Sequence, residues 1–150
     1  MTQKEYREYL LHVLKKLNES TGWLQRSYDK CLEHDLSADL SEDQFDDFEN
    51  LTSRFARTSD ILMQKAFRAL DEAEFEGGGT MIDTFNRAHK RGLIDSVEFM
   101  RDLRELRNEI SHDYNVEDLK QLFRDVLEQT PLILQVIERI RKYAEKFNEE

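Results

Sequence analysis

The residues best suited to chemistry stand in one short run, Arg107-Asn108-Glu109-Ile110-Ser111-His112-Asp113-Tyr114. An imidazole exchanges protons near neutral pH. A guanidinium stabilises negative charge developing on a phosphate and grips it with paired N–H donors. A tyrosine ring can position a ligand or stack on a base. With the amide of Asn108, these are the parts that phosphodiester cleavage without a metal requires. Asn108 and His112 are four apart and would share a helix face. Arg107 and His112 are five apart, about 140° around a regular helix, and converge only where that helix ends or distorts. The same residues admit a plain structural reading. A histidine near a helix C-terminus is favoured by the helix dipole alone, and Arg and Asn are ordinary on an outer helix face.

Elsewhere the chemistry is sparse. His12, His34 and His89 are scattered without metal-ligand spacing, and the chain has no HExxH, cysteine pair or EF-hand loop. We therefore expect neither metal nor cofactor. Gly77-Gly78-Gly79 lacks the Lys-Ser/Thr of a phosphate loop and reads as a connection. Asp43, Asp46, Asp47 and Glu49 read as a solvated helix start, where negative charge is favoured. Arg54 and Arg57 are three apart and can project together. They are candidate RNA contacts, with pairing to the many carboxylates as the alternative.

The elements that must position the motif read as helices throughout. Tyr6, Leu10, Val13, Leu17, Thr21, Leu24, Tyr28 and Cys31 form one stripe and predict a helix from about Lys4 to His34, through Gly22. Ser41 and Gln44 form a capping-box pattern opening a second helix, from about Glu42 to Glu74. Thr80 caps a short helix over Met81–Lys90, which Gly92 ends. Asp95 is placed to cap the motif helix, and Asn115 caps the last one. There, Thr130-Pro131 is expected to restart the helix with proline at its first position. No strand pattern occurs. The result is an all-α fold, a four- to five-helix antiparallel bundle in one domain spanning 1–150.

Composition narrows the setting. The 32 Asp and Glu outnumber the 22 Lys and Arg, for a net charge of −10. That opposes a broad nucleic-acid-binding surface, since phosphate contacts need Lys and Arg, but leaves room for a local basic cleft. The single cysteine fits a reducing compartment. The first residues lack the build of a signal peptide, and no apolar run approaches the roughly 20 residues of a membrane span. The expected location is cytoplasmic, with no membrane partner.

Arg107, four intervening residues, His112, one residue and Tyr114 resemble the R-x4-H-x-Y signature of HEPN domains. The closer likeness is to HepT-like toxins encoded beside a minimal nucleotidyltransferase, in which Asn also follows the Arg. The turn Gly92-Leu93-Ile94 before the motif helix and the acidic-capped helix after it agree with this. The resemblance implies a homodimer with the two motifs facing each other across a cleft. It implies a metal-independent endoribonuclease of a toxin–antitoxin pair. His112 would move protons for 2′-hydroxyl attack, Arg107 would stabilise the phosphoryl transition state, and Asn108 would orient the phosphate or the imidazole. Tyr114 would take AMP from the nucleotidyltransferase partner as an off-switch. The alternative is a non-catalytic subunit that holds nucleotide or substrate for such a partner. A helical adaptor with an inert motif is a third reading.

Overall fold

The structure is a computed structural model that describes residues 1–112 and 114–148. Its order is α1 (Gln3–Cys31), α2 (Glu42–Ile61), a π-helical turn (Leu62–Ala66), α3 (Phe67–Ala73), α4 (Met81–Lys90), α5 (Val97–Glu109) and α6 (Val116–Tyr143), closed by a 3-10 turn (Ala144–Phe147). Because α2, the π turn and α3 form one rod, five helical rods make an all-α bundle. No strand occurs among the described residues.

Thr2 opens α1 by accepting from the Glu5 amide, and both halves of the expected capping box at Ser41 and Gln44 are made. α1 runs antiparallel to the α2–α3 rod. The buried hydroxyls of Ser20 and Thr58 meet at 2.7 Å, Arg54 reaches Ser27, and Lys30 and His34 meet Asp47 near the other end. The connection through α4 and α5 returns the chain so that α6 points the same way as α2. Phe123 accordingly stacks on Phe48, 5.0 Å between centroids, while Tyr143 reaches Glu74. The core between the rods is built from Leu10, Leu17, Phe48, Phe55, Phe123 and Ile140, all essentially without exposure. A buried side chain of that kind contributes roughly 1.5–3 kcal/mol through removal from water.

The short α4 is held by a buried charge cluster. Asp71, with 1% of its side chain exposed, accepts from Arg87 at 3.0 Å and from Arg91. Arg91 also reaches Glu74 and Glu76, and Glu74 accepts from Tyr143 and Lys146. A carboxylate this deep needs such partners, because a lone buried charge is strongly destabilising. α4 ends in a Schellman motif. Gly92 takes φ +77°, its amide donates to His89, and Leu93 donates to Ala88.

Three expectations require correction. Asp95 does not cap α5. Ser96 does, its backbone extended and its hydroxyl accepting from the Phe99 amide at 3.1 Å, while Asp95 pairs with Arg139. Pro131 does not restart a helix but lies inside α6. It faces solvent, where the carbonyl it leaves unpaired can be hydrated, and the Thr130 hydroxyl donates back to Val126 at 2.6 Å. Finally, the second rod is not uniformly α-helical but contains the π turn.

Candidate active site at the end of α5

α5 stops at Glu109, three residues before His112. The chain leaves it in a tight turn, with the amides of Ser111 and His112 donating to Asn108 and Glu109. Asn115 then starts α6 by accepting from the Asp118 amide at 2.9 Å. The motif thus spans the joint between two helices. That joint packs against the middle of α2, whose stripe Glu49, Ser53 and Asp60 faces it.

A cavity of about 410 Å³ opens there, lined by Glu49, Thr52 and Ser53 of α2, Ile110, His112 and Tyr114 of the joint, and Leu119, Leu122 and Phe123 of α6. His112 is exposed at its edge, and Tyr114 is half-buried. Their rings lie 6.4 Å apart with planes 25° from parallel. Burial, and then the charges of Glu109 and Asp118, push the Tyr114 phenol above its ordinary 10.0, so it stays a neutral hydrogen-bond donor.

Arg107 turns towards α2. Its Nε and Nη2 donate to the two oxygens of Asp60 at 2.8 and 3.0 Å, and Nη1 donates to Ser111 at 3.3 Å. These contacts use three of the five N–H donors of a guanidinium. They fix its plane and match its charge with a carboxylate. Asn108 is exposed on the last turn of α5. α5 ends between Asn108 and His112, and the turn that follows carries the His112 amide back to Glu109.

The two candidate arginines of α2 separate. Arg54 packs against α1, its guanidinium 5.1 Å from the Trp23 ring and its Nη1 donating to Ser27 at 2.6 Å. Arg57 is exposed on the stripe that carries Ser53 and Asp60. Asp113 lies outside the described residues. Among those described, no three His, Cys, Asp or Glu side chains converge as a metal site, and no helix is long and apolar enough to cross a membrane.

Asp60, Ser111, Glu49 and Ser53 escape sequence reasoning. Asp60 lies 47 positions from Arg107, and the one local signal is its repeat with Ser53 and Glu49 on a polar stripe of an otherwise apolar-faced helix. No protein-family profile, curated protein or solved structure matches the chain.

Proposed function

We propose that this chain is a HEPN-type, metal-independent endoribonuclease of a toxin–antitoxin pair, acting as a homodimer. The observation that carries the reading is the joint between α5 and α6. It presents an exposed His112 beside a neutral Tyr114 phenol on an open cavity, with Arg107 held rigidly on the preceding turn. In the proposed reaction the ribose 2′-oxygen attacks the adjacent phosphorus and the bond to the 5′-oxygen breaks. The products are a 2′,3′-cyclic phosphate and a 5′-hydroxyl. His112 takes the 2′ proton or delivers one to the leaving oxygen, and the second motif of the dimer serves the other transfer. The Arg107 donors not engaged by Asp60 and Ser111 stabilise the phosphoryl oxygens. Asn108 orients the phosphate.

Tyr114 is the regulatory handle in this reading. A nucleotidyltransferase partner joins its phenol oxygen to the α-phosphorus of ATP, releasing pyrophosphate and the phenolic proton. The bulky anionic adduct fills the cavity and repels RNA.

A second reading has its own support. Asp60 matches the charge of Arg107 and Glu49 lines the cavity, which favours a subunit that holds nucleotide or substrate for such an enzyme. Incubation of purified protein with total RNA in EDTA separates the two. The nuclease reading expects cleavage leaving cyclic-phosphate ends. It also expects losses of about 10²–10⁴-fold in His112→Ala and about 10²–10³-fold in Arg107→Ala, each with an unchanged helical spectrum. Cleavage by both variants at the wild-type rate would remove the site assignment. No cleavage by protein whose intact mass shows an unmodified Tyr114 would favour the binding subunit.

A further inference from the structure

A second constellation lies on the other edge of α2. Trp23, the chain's single tryptophan, stands on α1 with 52% of its surface exposed. Two guanidinium groups lie over its ring, that of Arg26 at 5.9 Å and that of Arg54 at 5.1 Å from the centroid. Next to it a polar pocket of about 170 Å³ is lined by Arg26, Ser27, Lys30, Asp47, Asn50 and Arg54. The one carboxylate in that lining is already engaged, with Asp47 Oδ1 taken by Lys30 at 3.2 Å and Oδ2 by His34 at 2.8 Å. The charge left to face solvent is that of Arg26 and Arg54. An open indole framed by paired arginines is unusual on a chain of net charge −10. It has the two components that hold single strands, an aromatic face for a base and cations for phosphate.

We propose that this edge of the α1–α2 pair is a binding platform for single-stranded RNA. A base stacks on Trp23, and Arg26 and Arg54 take the neighbouring phosphates. The platform also fits the place of the cavity. α2 shows Glu49, Thr52 and Ser53 to His112 and, on the same two turns, Asn50 and Arg54 to the Trp23 pocket. The two linings thus meet on neighbouring positions of one helix, and a strand that crosses α2 there can touch both. One strand can therefore be held at Trp23 while its next phosphates lie at His112. The assignment of the strand as RNA rests on the nuclease reading; the platform's chemistry does not.

The test uses Trp23 as its own reporter. His112→Ala protein, which keeps the strand whole, is titrated at low salt with an unstructured oligoribonucleotide of about ten nucleotides, within the range such sites cover. Saturable quenching of the tryptophan emission is expected. By anisotropy of a labelled strand, Trp23→Ala should weaken binding about tenfold or more while Trp23→Phe retains most of it. Arg26→Gln should lower the slope of log affinity against log salt by roughly 0.7. Strand binding with unquenched Trp23, or equal binding by Trp23→Ala with an intact helical spectrum, overturns the platform and leaves the nuclease reading standing. Quenching by the strand without cleavage in wild-type protein keeps the platform and removes the nuclease. Failure of any strand to bind removes the platform.

Discussion

Arg107 is the residue whose surroundings most constrain the proposed chemistry. Its bidentate pair with Asp60 is partly open to water, Asp60 keeping 37% of its side chain exposed. Such a pair adds little to stability, about 0–1 kcal/mol, but it fixes the guanidinium plane, which a transition-state contact depends on. Asp60→Asn should therefore shift Tm by no more than about 4 °C and lower RNA cleavage about tenfold or more. Thermal melts and cleavage kinetics on one preparation check this, and an unchanged cleavage rate would show that Asp60 does not position Arg107. The contact itself was not legible in the sequence. Arg107, Asn108, His112 and Tyr114 stand out because they are close in the chain. Asp60 acts from another helix, and its identity follows only from how α5 crosses α2.

At the scale of elements, local signals served well where a side chain closes its own backbone. Thr80 opens α4 and Gly92 closes it at the expected residues. They served poorly where two neighbours compete for one role, as Asp95 and Ser96 do, since both residues can cap and only the extended backbone of Ser96 decides. Arg54 is a similar case. Spacing pairs it with Arg57, but burial of the α1 face draws it to Trp23 and Ser27. Two glycines test the local physics with opposite signs. Gly22 is helical, and a Cβ there would meet nothing within 4 Å. Gly22→Ala should stabilise by up to about 1 kcal/mol, raising Tm by about 2–4 °C. Gly92 holds φ +77°, which a side chain resists, so Gly92→Ala should lower Tm by a similar amount. Melting curves that moved in the same direction for both would contradict this account.

For the molecule as a whole, charge sets the conditions under which it folds and binds. The cluster around Asp71 and Glu74 ties the end of α3 to α4 and to the end of α6. Burial alone would raise the Glu74 carboxyl, but hydrogen bonds from Tyr143 and Lys146 and the charges of Lys146 and Arg91 hold it below the ordinary 4.5. A depressed carboxylate stabilises the fold fully above the pKa of the unfolded chain and loses that contribution as pH falls through the folded value. Stability should therefore decline below about pH 4.5. In Glu74→Gln that part of the decline should be missing, measured as denaturation midpoints from pH 7 down to about 3. A parallel decline in the two proteins would remove Glu74 from the account.

The π turn, one wide turn in a long rod, has a consequence for direction. Asp60 and Asp71 are eleven residues apart, which in an unbroken α-helix amounts to about three turns and 20°, so both would point the same way. The wider turn between them absorbs one residue and rotates everything beyond it by roughly 100°. Asp60 is thereby aimed at the motif and Asp71 at α4. A single surplus residue lets one rod hold neighbours arriving from two sides. Deleting one position between Leu62 and Ala66 would leave ten residues, which in a regular α-helix fall about 80° short of three turns, so the rod should become uniformly α-helical with Asp60 still aimed at Arg107 and Asp71 at Arg91.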